Sequence, residues 1–256
     1  APMFYGRNEE CGLRCVYHGW KFDVDGRCVD VPALPANNPF INKVRIKAYP
    51  TYEKAGVIFA YMGPPERKPP FPNYEWMRAP DTHRYVSKNY QASNYLQALE
   101  GGLDTSHSSF LHNNVMGNRN TMRNLDPSPQ IEVHPARYGY SYVSTRKISE
   151  EDRYIRIYQY VMPFQQMRGD VTDDGGQRSK VPKIDGHFWV PIDDHQTYVW
   201  NWMYGADESA EITAEFAERD EKRAGRGKDD FIPGTFKLKS NPSNDHMIDR
   251  NLHISL

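Results

Sequence analysis

Between residues 94 and 112 the chain reads NYLQALEGGLDTSHSSFLH, which gathers Glu100, Asp104, His107 and His112 within thirteen residues. Two imidazoles beside a carboxylate are the donors that a divalent metal with open coordination positions takes, and a 2-His-1-carboxylate face suits non-haem Fe(II). On a continuous helix, Glu100, Asp104 and His107 share one face, because they follow one another by four and three residues. His112 stands five residues beyond His107, roughly 140° further round. The two histidines can then grip one ion only if the helix is distorted between them, as at a π-bulge. Gly101-Gly102 costs about 1 kcal/mol per residue inside a helix, so the pair signals a bend or a close backbone approach. The plain alternative is a surface helix with two unrelated histidines.

The chain has 256 residues, 38% hydrophobic and 25% charged, which suits a folded chain of one large or two small domains. A net charge of −1 gives no global field for nucleic acid or an anionic membrane, and no apolar run is long enough to span a bilayer. Cys11, Cys15 and Cys28 fall within the first 28 residues. An odd, clustered set argues for metal ligation in a reducing compartment rather than a secreted disulfide framework. Neither a signal-peptide pattern nor a spanning segment is present, and the expected location is the cytoplasm.

Cys15-x2-His18 is a half-site that alone proves little; it could be half a zinc knuckle or no site. The residues after it, Gly19-Trp20-Lys21-Phe22-Asp23 and the turn Asp25-Gly26-Arg27, read as short hairpins of a small β domain. Together, Cys15-x2-His18-Gly19-Trp20, Phe22 and Gly26 resemble the second cluster-binding loop of a Rieske [2Fe–2S] domain, where two Cys hold one iron and two His the other. With Asp104-x2-His107-x4-His112 downstream, the whole chain resembles the alpha subunit of Rieske non-haem iron ring-hydroxylating oxygenases. Leu96-Gln-Ala-Leu-Glu-Gly-Gly-Leu-Asp104 is most similar to the phthalate dioxygenase branch.

The resemblance implies an α+β fold: a partial Rieske β domain over residues 1–63, then a helix-grip-like catalytic domain over 64–256, with an antiparallel sheet. It implies a [2Fe–2S] cluster with Cys15 and His18 among its ligands, and a mononuclear Fe(II) held by His107 and His112. Asp104 would be the bridging carboxylate, which takes the second N–H of a metal-bound histidine and fixes its orientation; its plain role is a helix salt bridge. Glu100 is either a pocket-side hydrogen-bonding group or a helix-face carboxylate. The expected partners are a flavin or iron–sulfur reductase, O2 and a small aromatic, carboxylated substrate, in a homotrimer or a multiple of one. An O-demethylase would share every one of these residues, and an electron-transfer protein with only a Rieske cluster is the non-enzyme alternative. The family's first Cys-x-His loop would fall before Ala1, and its third iron ligand has no match before Leu256, so the expectation is a chain cut at both ends. Asp245 and Asp249 are the carboxylates nearest that end.

Elsewhere the pattern is mostly β. Residues 44–49, 56–62, 84–91, 138–145, 153–162, 186–192 and 197–204 read as strands, 168–186 as a polar loop and 208–224 as a charged helix. A Pro-rich run at 64–70 reads as a connector. Arg146 and Arg168 flank apolar strands, and one of them is expected to meet a substrate carboxylate in the pocket.

Overall fold

The computed structural model describes residues 2–35, 37–111, 122–172 and 176–247. The chain divides into two compact units, residues 1–72 and 73–256. None of the helices among the described residues is long and apolar enough to cross a membrane.

The first unit carries a four-stranded antiparallel sheet, β1 (Arg7–Glu9), β2 (Gly12–Arg14), β3 (Lys21–Asp23) and β4 (Cys28–Asp30), in chain order. Phe22, Cys28 and Val31 form its core, with Trp20, Leu34 and Val44 packed around them. Gly26 lies at φ +78°, and a Cβ there would sit 2.2 Å from the Ile46 carbonyl oxygen, so this turn accepts only glycine. A two-stranded ribbon follows, β5 (Thr51–Lys54) and β6 (Val57–Ala60), joined at Ala55-Gly56. Residues 44–49, expected as a strand, make only an isolated bridge from Arg45 to Arg27. Their alternation is real, but apart from Val44 and Tyr49 they are exposed, and among the described residues their pairing goes no further than the bonds of that bridge, Cys28 N–H to the Val44 carbonyl and Ile46 N–H to the Gly26 carbonyl.

The second unit is a seven-stranded antiparallel sheet. In spatial order it runs β7 (Arg84–Gln91), β13 (Gln196–Gly205), β12 (Arg178–Asp193), β11 (Gln165–Thr172), β10 (Arg153–Val161), β9 (Gly139–Lys147) and β8 (Gln130–Ala136). Among the described residues its α-helices are α1 (Tyr95–Leu103), the single turn α2 (Met122–Leu125) and α3 (Ala214–Arg223). Much of the segment 168–186, expected as a polar loop, is a hairpin instead. Its polar residues alternate, and Arg168, Asp170, Lys183 and Asp185 pair across strands β11 and β12 by charge rather than by apolar contact.

The two faces of this sheet differ in chemistry. On one, Trp76 stacks on Trp202 at 5.4 Å, and Tyr74 and Phe188 complete an aromatic layer. On the other, Leu99 of α1 packs on Trp189 and Val199, and Ala217 of α3 packs beside Met203 and Ile212. Gly102 is what lets α1 approach so closely: a Cβ there would lie 2.3 Å from the Trp189 ring. Strand alternation places Tyr142, Tyr158, Arg168, Asp185, His187 and Asn201 on this helix-covered face.

Candidate functional site

The helix expected to run to His112 stops at Leu103. Asn94 caps its start, its side chain accepting the Leu96 N–H at 2.9 Å. Asp104 ends it in an extended conformation, ψ 128°, while its own N–H still bonds the Glu100 carbonyl. The reason is local. The Asp104 carboxylate turns forward and accepts the N–H groups of Ser106 (2.8 Å) and His107 (3.2 Å), capping a new 3-10 turn, His107–Ser109. Glu100, Asp104 and His107 therefore do not share one continuous helical face. His107 belongs to a separate turn. Glu100 is exposed on α1. His112 lies outside the described residues.

The Asp104 Oδ2 also meets His107 Nδ1 at 3.0 Å. A neutral imidazole that donates from Nδ1 carries its lone pair on Nε2, the tautomer that a metal-bound histidine adopts when a carboxylate holds its other nitrogen. Burial pushes the Asp104 carboxyl up, but the hydrogen bonds from Ser106 and His107 outweigh it and leave the group below the usual carboxylate range. The two side chains are 45% and 31% exposed, so an ion can reach them. An imidazole oriented in this way is a donor that suits divalent iron, with Asp104 behind it rather than on the ion. Among the described residues no three His, Cys, Asp or Glu side chains gather as a ready metal cage. Asp245 is exposed in a left-handed turn at φ 53°, and Asp249 lies outside the described residues.

A cavity of about 260 Å³ opens on the helix-covered face of the sheet, lined in part by Arg123, Arg156, Arg168, Asp185, His187 and Asn201. Most of its charges are paired. Arg168 meets Asp185 at 3.1 Å, and Lys183 is held by Asp185, Asp170 and Asp220 at 2.8, 3.4 and 3.5 Å. Burial raises the Asp185 carboxyl, but Arg168 and Lys183 more than reverse it, so it stays ionised. His187 Nδ1 meets Asn201 Oδ1 at 2.8 Å; burial, with Arg168 and Arg226 nearby, pushes the imidazole down to about 3, so it is neutral. Asn201 continues to Asn89 and Ser87, and Ser87 to Glu221 of α3.

Of the two arginines, one of which is expected to meet a substrate, Arg168 lines the cavity, but its charge is matched by Asp185. Arg146 does not line it. It has no exposed surface, and its donors go to protein oxygens around Thr105. Arg156 is a residue that the sequence reasoning missed. It lines the cavity, stacks its guanidinium 5.3 Å from the Tyr158 ring, and makes no ion pair among the described residues. The signal for it is in Tyr154-Ile-Arg-Ile-Tyr158: in a strand this alternation puts Arg156 on the face of the two tyrosines. Gln166, on the same face, is fully buried, and neither of its amide atoms is hydrogen-bonded among the described residues.

In the first unit, Cys15 and His18 lie in the loop that joins β2 to β3. Arg14 ties this loop down: its Nη1 donates to the Gly19 carbonyl and to Asp30, and its Nε to Glu9. Backbone N–H groups of Tyr17 and His18 are directed at the Cys15 sulfur, and Tyr17's holds the thiol below its usual value. That environment fits a thiolate ligand. His18 is exposed, its ring 3.9 Å from that of Tyr17. Cys11 is exposed and Cys28 is buried in the core.

Two family models match the chain: the Rieske [2Fe-2S] domain over residues 1–50, and the LigXa C-terminal domain like family over residues 60–253. The chain is 35% identical over 208 residues to the oxygenase subunit of 3-chlorobenzoate-3,4-dioxygenase from Comamonas testosteroni, covering 78% of this chain and 46% of that one. It is 38% identical over 179 residues to the phthalate 4,5-dioxygenase oxygenase subunit of Pseudomonas putida, covering 64% and 40%. It is 32% identical over 246 residues to the tert-butanol monooxygenase / tert-amyl alcohol desaturase oxygenase subunit of Aquincola tertiaricarbonis, covering 91% and 51%. Among solved structures, NdmA of Pseudomonas putida CBB5 superposes with a TM-score of 0.68 at 18% identity, covering 88% of this chain and 62% of that one; this shows a shared fold. The chain spans about half the length of the curated relatives it matches.

Proposed function

The chain belongs to the Rieske oxygenase alpha subunits, in the branch that includes phthalate dioxygenase, and from that premise we propose that it is the oxygenase component of an aromatic-ring hydroxylase acting on a carboxylated substrate. The observation that carries this reading is the 3.0 Å contact between Asp104 and His107, which prepares one imidazole as a ligand. In this reading His107 and His112 hold the mononuclear iron, and Cys15 and His18 belong to the [2Fe–2S] cluster. When bound, the iron supplies O2 activation, with electrons delivered by a reductase through the cluster.

The residues of this chain have separate tasks. Asp104 accepts the Nδ1 proton of His107 and holds the ring in one tautomer. The Asp185, Arg168 and Lys183 network stays fully ionised and fixes the cavity wall without offering a spare charge. His187 stays neutral and is oriented by Asn201. Arg156, on the sheet floor of the cavity, has no carboxylate partner among the described residues, and its fork suits bidentate capture of a substrate carboxylate. Two relatives with carboxylated aromatics in their names support that substrate class, whereas tert-butanol in a third name lies outside it. O-demethylation remains the second reading, favoured by 34% identity over 156 residues to a 5,5'-dehydrodivanillate O-demethylase oxygenase subunit. The test is turnover of the complete natural protein with its reductase against a panel of aromatic acids and methoxybenzoates. A hydroxylated or cis-dihydrodiol product supports the first reading, formaldehyde release the second, and no oxygen-dependent turnover on any aromatic defeats both.

A further inference from the structure

The turn that carries His107 is gripped by one side chain from the sheet below. Arg146, near the end of β9, has no exposed surface. Its Nη2 donates to the Thr105 carbonyl at 2.8 Å and to Ser109 Oγ at 3.3 Å. Its Nη1 donates to Thr105 Oγ1 at 3.3 Å and Ser144 Oγ at 3.1 Å, and its Nε to the Asp126 carbonyl at 3.1 Å. Thr105 and Ser109 bracket His107 on either side in sequence. The Tyr158 hydroxyl adds a further bond to Thr105 Oγ1 at 3.1 Å.

Every acceptor of this guanidinium is neutral, and no carboxylate pairs with it among the described residues. A buried ion without a counter-charge costs several kcal/mol, and well-packed apolar residues would fill the same space at lower cost. What a neutral or flexible side chain cannot do is present five donors in one rigid plane. Here that plane ties Thr105 and Ser109 to the Asp126 backbone and to β9, so the turn cannot rotate without breaking several bonds at once.

We propose that Arg146 is a positioning residue for the metal site: it locks the Thr105–Ser109 turn, and thereby holds the His107 imidazole in register with the Asp104 carboxylate. This rests on the reading of His107 as a ligand. Arg146 touches neither substrate nor metal and acts through the backbone of the turn.

The experiment uses the complete natural chain, stripped of mononuclear metal, with Co(II) as the probe. The variants are Arg146→Lys, Thr105→Val and His107→Ala, with Arg153→Gln as a surface control. Co(II) affinity, the His107 Nδ1–H resonance and Tm are read for each. Arg146→Lys keeps the charge but loses the fork, and is expected to bind Co(II) roughly 10–100-fold more weakly, in the range for a disturbed outer ligand shell. It should also broaden or lose the Nδ1–H resonance. Thr105→Val should move both readouts in the same direction by about tenfold at most, and Arg153→Gln should move neither. If Arg146→Lys does not fold, Thr105→Val decides. Folded variants that lower Tm yet keep wild-type Co(II) affinity and an unchanged Nδ1–H resonance would overturn the proposal and leave Arg146 a purely structural clamp. Co(II) binding unaffected by His107→Ala would be a different failure: it removes the ligand reading, and the proposal with it.

Discussion

The carboxylate of Asp104 and the imidazole of His107 meet at 3.0 Å, Oδ2 to Nδ1, and that same oxygen accepts the His107 backbone N–H at 3.2 Å. One side chain therefore ends α1, caps the following turn and sets the tautomer of the histidine within it. Asp104→Ala should cost about 1 kcal/mol in urea unfolding, the scale of a lost cap. It should also weaken mononuclear metal binding roughly 10–100-fold. Metal titration beside denaturation separates the two effects, and an unchanged metal affinity would leave Asp104 with only its capping role.

The two glycines at the end of α1 should respond in opposite ways. A methyl group added at Gly101 would meet nothing within 4 Å, so Gly101→Ala should stabilise by up to about 1 kcal/mol. At Gly102 the added carbon meets the Trp189 ring at 2.3 Å, so Gly102→Ala should destabilise by roughly 1–3 kcal/mol. Thermal melts of both variants check the sign.

Much of this is legible in the sequence, for identifiable reasons. Strand 84–91 can be read in full because its aromatic and β-branched residues are flanked by turn signals. The Gly101-Gly102 signal of close approach is also sound, with Trp189 as the partner at Gly102. What the residues do not reveal is where a helix yields to its own side chain: Asp104 reads equally well as a helix-face residue or as a cap. The hairpin at 168–186 is hidden because its inward positions are charged, and periodicity in apolar residues does not register an ionic layer. Arg146 and Arg156 look alike in sequence, ten residues apart on adjacent strands, yet one is consumed by Thr105 and Ser109 while the other stays without a counter-ion among the described residues.

Arg156→Gln should lower kcat/KM for a carboxylated substrate by about 10–150-fold, the equivalent of losing a charged hydrogen bond of 1.5–3 kcal/mol. A neutral analogue should be turned over almost as before. Equal losses on both substrates would remove Arg156 from substrate recognition.

His187 sets a pH signature. Its folded value of about 3 lies below the unfolded value of about 6.5. Between those limits the unfolded chain binds the extra proton, so stability falls as pH drops and is fully present only above about pH 6.5. The slope should approach roughly 1 kcal/mol per pH unit between about pH 6 and pH 4. His187→Gln should flatten it, as urea midpoints at pH 7, 6 and 5 would reveal; parallel profiles for the two proteins would contradict the assignment.

The most direct test is a single turnover of the reduced, complete natural protein under 18O2, with the aromatic acid that the substrate panel selects and with the His107→Ala variant alongside. The wild type is expected to give 18O in the product and the variant none, while the variant's Rieske absorption stays intact. Labelled product from His107→Ala at the wild-type yield, or wild-type oxygen drawn from water rather than O2, would contradict this expectation.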